Sequence, residues 1–527
     1  MNTGNVAAYQ QYLGVASPRA PAIAPLDPLT TSFYPPAMIH CMKEQGERQA
    51  KLRGRIPIPA SKSHTIRALL IATFARGSSR LRRPLVSLDT NNCRAVVEKF
   101  GAEIEVDGED WVLHGIGGRV EASEHPVLDM DVGNSGTTLY FATALAALSG
   151  CRVRFDGDKQ IRRRSAASLL SALAALGARI EGAKDGCAPF TICGPLKPGI
   201  ITVDCPTSQF LSALLLAAPL ISSSYRDKGL SAGERMTTET NISGSKKTDE
   251  YCQKAEATQI EVRSLNEAPY VDITLDWLSS QNITYKRDGW RHFSIPSGQS
   301  YRAFDRIIPA DWSSAAFFLA AAAITGSEVI LEGLDLGDSQ GDKAVVDMLR
   351  TMGCRIDELA GGIRVVGKPL RGGTFNLNAT PDALPAMAVI GCYASGTTRL
   401  VNVPQARIKE TDRIAVMCAE LGLLGANIEE LPDGLVIKGG LGMGDSITGS
   451  QGSTEREPVR IRPDAAVKHS RATDCITVDG HGDHRVVMAL AVAALGIRKT
   501  VCIQGAEVIE VTFPGFFDLL DHALGRD

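Results

Sequence analysis

The stretch Glu98-Lys99-Phe100-Gly101-Ala102-Glu103-Ile104 ends an apolar helical pattern at a glycine and passes straight into a β-prone run. The same passage returns as Ala175-Leu176-Gly177-Ala178-Arg179-Ile180, as Thr351-Met352-Gly353-Cys354-Arg355-Ile356 and as Leu424-Gly425-Ala426-Asn427-Ile428. Residues 277–285 are a degraded copy with Asn282 at the glycine position. Asparagine also tolerates the left-handed conformation that ends a helix. A self-similar unit of helix, glycine and strand marks a repeat architecture.

A second kind of helix alternates with the first. Its ends read Arg76-Gly77-Ser78-Ser79, Ser149-Gly150-Cys151-Arg152, Thr325-Gly326-Ser327-Glu328, Ser395-Gly396-Thr397-Thr398 and Leu495-Gly496-Ile497-Arg498. Each runs into a strand such as Glu328-Val329-Ile330-Leu331. The helices before these ends, residues 315–324 and 486–495 among them, are apolar on every side, which predicts burial. Each module is thus a small α/β unit around a buried helix, and about six of them in 527 residues predict two domains of three. Three stretches interrupt the pattern. Residues 1–50 are proline-rich and aperiodic and read as an irregular N-terminal extension. Residues 222–266 and 444–472 are polar and read as surface insertions.

The totals bound the function. A net charge of −3 supplies no global attraction to nucleic acid or to a membrane surface, so neither is expected as a partner. No apolar run reaches membrane-spanning length, and residues 1–50 lack a basic start followed by a continuous apolar segment. Twelve cysteines without a CxxC pair argue against zinc and against a disulfide framework. A soluble, cytoplasmic, metal-free chain is the expectation.

The starts of the buried helices carry the chemistry. Ala60-Ser61-Lys62-Ser63 precedes residues 66–74, and Gly133-Asn134-Ser135-Gly136-Thr137-Thr138 precedes 139–148. Pro206-Thr207-Ser208-Gln209 precedes 210–220, and Asp311-Trp312-Ser313-Ser314 precedes 315–324. Pro381-Asp382 precedes 383–393, and Gly482-Asp483-His484-Arg485 precedes 486–495. Ser, Thr, Asn and Asp are N-cap residues, so capping accounts for any one of these starts. It does not account for Lys62, Arg67 and Arg485, cations in first or second turns where the helix dipole favours anions. The heptad Arg407-Ile408-Lys409-Glu410-Thr411-Asp412-Arg413 adds three cations and two carboxylates before another apolar helical run. Lys409 and Arg413 are four apart and share a face if the heptad is helical, a repulsion of roughly 0.2–0.5 kcal/mol. A helix N-terminus with a cation beside it is a phosphate or carboxylate site. If both domains aim their helix starts at one cleft, the ligand carries at least one phosphate and one carboxylate. Other candidates are weaker. His481 and His484 lack a third metal ligand at suitable spacing. The glycine loop at Gly133 is neither a Walker A nor a dinucleotide fingerprint. Asp89-Thr90-Asn91-Asn92 reads as a cap before residues 93–100.

This constellation resembles the 5-enolpyruvylshikimate-3-phosphate synthase (EPSP synthase) family over about residues 56–520, interrupted by the two insertions. The resemblance rests on Ser61-Lys62-Ser63 with Arg67, Gly133-Asn134-Ser135-Gly136-Thr137, Thr207-Ser208-Gln209, the heptad, and Asp483-His484-Arg485, in the family's order. It implies an inside-out pair of α/β domains, each with threefold pseudosymmetric βαβαββ-type repeats. Residues 51–59 with 309–527 would form one discontinuous domain and 60–308 the other, with crossovers near 57–60 and 308–311. It implies transfer of enolpyruvyl from phosphoenolpyruvate (PEP) to the 5-hydroxyl of shikimate 3-phosphate, by addition and then elimination of phosphate.

Roles follow from the resemblance position by position. Lys62, Asp382 and Glu410 become the catalytic residues, with Glu410 moving a proton at the methylene carbon and Asp382 touching the acceptor hydroxyl. Lys62, Arg413 and Arg485 match PEP-binding cations, and Gly136 matches the small residue beside PEP. Ser63, Arg67, Thr207, Ser208 and Lys409 match residues that hold the phosphorylated acceptor, with Gln209 at its ring. Arg164, Gln405 and His484 complete the substrate-binding set. No metal or organic cofactor is implied, because PEP is a co-substrate that brings its own leaving group. A monomer is expected.

Departures from the family pattern cluster around the same ligands. Val511 precedes Thr512-Phe513-Pro514 where the family has a lysine, and Gln160 stands at one arginine position. Glu267 or Ala268 replaces a serine that binds the acceptor phosphate, where a carboxylate would be repulsive. Tyr140, Gln405 and Ala60 replace an arginine, an asparagine and a glycine. The alternatives are an enolpyruvyl transferase for another cyclic alcohol and an inactive ligand-binding homologue. The related UDP-N-acetylglucosamine enolpyruvyl transferase is disfavoured, because it lacks the Lys-Glu-Thr-Asp-Arg block and uses a loop cysteine absent around residues 160–165.

Overall fold

Six helices are buried along nearly their whole length: α1 (Lys62–Phe74), α2 (Gly136–Ala146), α3 (Ser208–Ala217), α4 (Trp312–Thr325), α5 (Leu384–Tyr393) and α6 (His484–Ala494). The computed structural model in which they are seen describes residues 37–39, 51–118, 120, 127–222, 257–441 and 475–526. Every side chain of α4 is buried. Apolar residues all round leave such a helix no face for water, and each fully buried Leu, Ile or Phe contributes about 1.5–3 kcal/mol by transfer. Within the compact unit Pro36–Asp527 the buried apolar side chains form two cores. One runs from Ile66 to Ile308, the other takes Leu52, Ile56 and Ile58 together with residues from Ala310 to Ala523.

The sheets lie outside the helices. Five four-stranded sheets share one order: an edge strand parallel to the second, then two antiparallel strands. In one of them Leu128–Asp131 runs parallel to Val153–Asp156, which pairs with Phe190–Cys193, which pairs with Arg179–Glu181. The strand Ile200–Cys205 alternates exposed and buried residues, so its sheet turns one face to the helices and the other to water. Each full module reads β-α-β-α-β-β, the first helix buried and the second packed with one face outward. The second helix ends as the repeat required. Gly353 takes φ 116°, where a Cβ would meet the Pro369 carbonyl at 3.0 Å, and Asn282 takes φ 56° in the degraded copy.

The chain passes between the two cores twice, and the passages hold each other. Ser61 N donates to Pro309 O at 2.7 Å and Asp311 N donates to Pro59 O at 2.8 Å, around an antiparallel bridge between Ala60 and Ala310. Two sequence readings change. Ala257–Leu265, at the end of the stretch that reads as an insertion, is a strand of nine residues parallel to Ile200–Cys205. Its alternation of buried Thr258, Ile260 and Val262 was hidden by the polar composition before it. Ala37–Ile39, within the stretch that reads as an irregular extension, forms a strand antiparallel to Thr500–Gln504. It completes the sixth sheet, whose module ends in the helix Phe516–Ala523 without a hairpin of its own. The remainder of 222–266 up to residue 256 and all of 444–472 lie outside the described residues, apart from Ser222. Among the described residues no helix is long and apolar enough to cross a membrane.

Candidate active site

The starts of the buried helices converge on one cavity of about 510 Å³ between the two cores. Its walls include all fifteen residues that the sequence singled out: Lys62, Ser63, Arg67, Gly136, Arg164, Thr207, Ser208, Gln209, Asp382, Gln405, Lys409, Glu410, Arg413, His484 and Arg485. Hydroxyls cap the helices of the half built on residues 66–308. Ser61 accepts from His64 N, Ser135 from Thr138 N and Thr207 from Gln209 N. Carboxylates cap two of the three buried helices of the other half, while α5 starts after a 3-10 turn with no side-chain cap. Asp311 accepts from Ser314 N, Asp483 from Arg485 N, and Asp412 caps the helix Arg413–Leu423. Asp311 also accepts from Lys62 N at 3.1 Å, so one carboxylate serves a helix start in each half.

Arg413 is the hub. It is 1% exposed and held by Asp483 at 2.7 Å, Asp382 at 2.8 Å and Glu410 at 2.6 Å. Arg485 reaches Asp382 at 3.0 Å, and Arg164, from the opposite half, reaches Glu410 at 3.1 Å. Burial alone would raise the pKa of Glu410, but Arg164 and Arg413 outweigh it and hold the carboxyl well below its usual range. Burial likewise opposes Asp382, and Arg485, Lys409 and Arg413 overcome it to hold that pKa down. His484 is neutral, because burial and then the Arg485 and Lys62 charges push its pKa well down. Its buried Nε2 makes no hydrogen bond among the described residues.

The remaining walls are built by shorter-range packing. Gly136 leaves room for the Arg164 guanidinium: a Cβ there would sit 2.8 Å from Nη1. Gln209 donates to Thr137 Oγ1 at 2.8 Å, tying α3 to α2, and Gln405 donates to Asn378 O at 2.8 Å. Arg67 is spent largely on structure. It donates to Thr274 Oγ1, Ser63 O and Tyr270 O at 2.8, 3.0 and 2.9 Å and lies over the Phe141 ring.

The heptad divides differently from a helical reading. Pro404–Ile408 is a 3-10 turn and the α-helix begins only at Arg413, so Lys409 and Arg413 do not share a helix face. Asp412 stops the helix at that point by capping it. Arg407 turns away to Asp412 and Glu430 at 2.7 and 2.8 Å and pins the loop. The cap reading of Asp89 also changes: Ser87 caps that helix, with Thr90 completing a capping box, while Asp89 accepts from Lys62 Nζ at 3.0 Å. His481 pairs with Glu420 at 2.7 Å, away from His484 in role.

Several site residues escaped the sequence. Tyr270 donates to Asp342 at 2.6 Å and Asp382 at 3.2 Å, joining the halves. Burial, then repulsion from Asp382, raises the Asp342 pKa to about 6. These partners are 72 and 112 residues from Tyr270, and no local spacing signals such pairs. Of the departures, Gln160 donates to Gly482 O at 3.1 Å across the cleft, and Tyr140 lines the cavity edge-on to Phe210. Val511 is buried and lies outside the residues lining the cavity.

Fold and site together define a two-domain α/β scaffold with a cleft of paired arginines and carboxylates between its two cores. The family model EPSP synthase (3-phosphoshikimate 1-carboxyvinyltransferase) matches residues 47–240 and 252–520. A 3-phosphoshikimate 1-carboxyvinyltransferase of Acetivibrio thermocellus is 41% identical over 477 residues, covering 90% of this chain and 97% of that protein. One from Halobacterium salinarum is 36% identical over 487 residues, covering 91% and 98%. A solved EPSP synthase of Acinetobacter baumannii shares the fold with a TM-score of 0.67 at 22% identity, over 90% of this chain and 96% of that one. The chain belongs to the EPSP synthase family.

Proposed function

We propose that this protein transfers the enolpyruvyl group of PEP to the 5-hydroxyl of shikimate 3-phosphate and releases phosphate. The observation that carries the reading is Glu410 held between Arg164 and Arg413, one from each half, inside a cavity that also presents Lys62, Lys409 and Arg485. Both substrates are polyanions, and this clustering of cations is what two phosphates and two carboxylates require.

The chemistry follows from charge balance. Arg164 and Arg413 hold Glu410 ionised. PEP places its own carboxylate and phosphate on Lys62, Arg413, Arg485 and Arg164 and so shares their charge. The Glu410 pKa then rises, and its carboxyl becomes a proton donor to the PEP methylene. Asp382, kept ionised by three cations, takes the proton of the attacking hydroxyl as its oxygen bonds to the central PEP carbon. Loss of a methyl proton back to Glu410 then breaks the carbon–oxygen bond to phosphate and leaves the enol ether. No metal or organic cofactor is called for. Every residue of the site comes from one chain, so a monomer suffices. The described cysteines are all free, which suits a reducing cytoplasm.

The test is phosphate release from PEP and shikimate 3-phosphate supplied together. Release with both and with neither alone is the expected result, and Glu410→Gln is expected to lower kcat by about 10²–10⁴-fold. A wild-type protein that releases none would refute the proposal.

A further inference from the structure

Under the proposed function, on which this inference rests, Thr207, Ser208 and Lys409 are the groups that receive the acceptor's phosphate. In the structure a protein carboxylate already holds them. Glu267 Oε2 accepts from Thr207 Oγ1 at 3.0 Å, from Ser208 N at 3.2 Å and from Ser208 Oγ at 3.0 Å, while Oε1 pairs with Lys409 Nζ. Glu267 is 2% exposed, and Lys409 comes from the opposite half of the molecule. Its backbone is left-handed, φ 60°, at the start of the helix Ala268–Ser280, a conformation that side-chain-bearing residues adopt rarely. Two hydroxyls, a helix-start N–H and an ammonium are the donors with which proteins hold phosphate. Here they converge on a side chain that the fold bends out of its way to present.

We infer that Glu267 is a resident competitor in the acceptor's phosphate subsite, a specificity-determining residue that must swing out before a phosphorylated acceptor is bound. Two anions cannot share these donors at hydrogen-bond distance, so each binding event exchanges the Glu267–Lys409 pair for a phosphate–Lys409 pair. The carboxylate therefore weakens capture of the acceptor. Through Lys409 it also bridges the halves.

The experiment compares wild type with Glu267→Ser and Glu267→Gln. Steady-state KM is measured for shikimate 3-phosphate and for PEP, and binding of inorganic phosphate alone is followed by calorimetry. In Glu267→Ser the acceptor KM is expected to fall at least about tenfold, with the PEP KM moving less than about twofold, and inorganic phosphate to bind more tightly. Glu267→Gln, which keeps the shape and removes the charge, is expected to fall between. An acceptor KM that stays put or rises in both variants overturns the inference. So does wild-type turnover of unphosphorylated shikimate at comparable kcat/KM, because the carboxylate would then replace the phosphate permanently. If no protein of the set turns over, the proposed function fails separately. The phosphate titration then still decides: tighter binding in Glu267→Ser supports the competitor, and equal binding overturns it.

Discussion

The two halves of the cleft begin their buried helices with different chemistry. The half built on residues 66–308 caps with Ser61, Ser135 and Thr207, and the other caps with Asp311 and Asp483 and with Asp412 on a neighbouring helix. A hydroxyl cap leaves the positive helix end available to an anion, whereas a carboxylate cap neutralises it. The carboxylate half therefore needs Arg413 and Arg485 to attract anions, and it holds them in place with Asp382, Glu410 and Asp483. The hydroxyl half can bind anions through backbone N–H groups. Glu267 interrupts that rule at the start of α3, which is why it stands out as a competitor rather than as another cap.

The largest test of this contrast is a pair of arginine removals. Arg413→Met leaves Asp483 without its cation and takes one cation from Asp382 and from Glu410, and is expected to cost about 3–5 kcal/mol in urea unfolding, together with nearly all turnover. Arg67→Met removes hydrogen bonds to a hydroxyl and two carbonyls and the contact over Phe141, with no carboxylate left unpaired, and is expected to cost about 1–3 kcal/mol. Equal losses would erase the distinction between the halves.

A smaller effect is expected at the boundary where the halves meet. Gly136→Ala pushes on Arg164, the arginine of the hydroxyl half that reaches Glu410. The KM for PEP is expected to rise on the order of tenfold, with the unfolding midpoint little changed. An unchanged KM would mean that Arg164 relaxes without consequence for the ligand.

The smallest effect concerns proton linkage within the carboxylate half. Asp382 and Glu410 have lowered pKa values, so the stability they contribute is present above the ordinary carboxyl range and is lost as pH falls. Asp342 has the opposite sign. Its pKa is raised from 3.8 to about 6, so the folded state binds the extra proton and stability declines as pH climbs through that interval. Asp342→Asn is expected to remove that decline, so the variant gains on wild type between those two values and runs parallel above them. Unfolding free energies measured across the interval check this, and parallel curves throughout would show that Asp342 does not titrate there.

Much of this was legible beforehand, and the reason is periodicity. Helices apolar on every side, glycine ends and cap residues are local patterns, and they located α1 to α6 and the cations at their starts. The strand Ala257–Leu265 was missed because its alternation follows a long polar run that dominated the composition. The spacing of Lys409 and Arg413 suits one helix face only if the heptad is helical, and a charge spacing says nothing about where a cap interrupts the backbone. Asp89 reads as a cap because its sequence neighbourhood suits one, but Ser87 does that work and frees Asp89 for Lys62.

The amino-acid sequence by itself determined the repeat, the burial of its helices and the residues at their starts, because each depends on neighbours within a turn or two. Only the tertiary structure decided which charges meet. Arg413 finds Asp483 across 70 residues, Arg164 finds Glu410 from the other half, and Glu267 finds Lys409 across 142. Ion pairing depends on distance and dielectric in three dimensions, and those are set by how two cores close on one cleft.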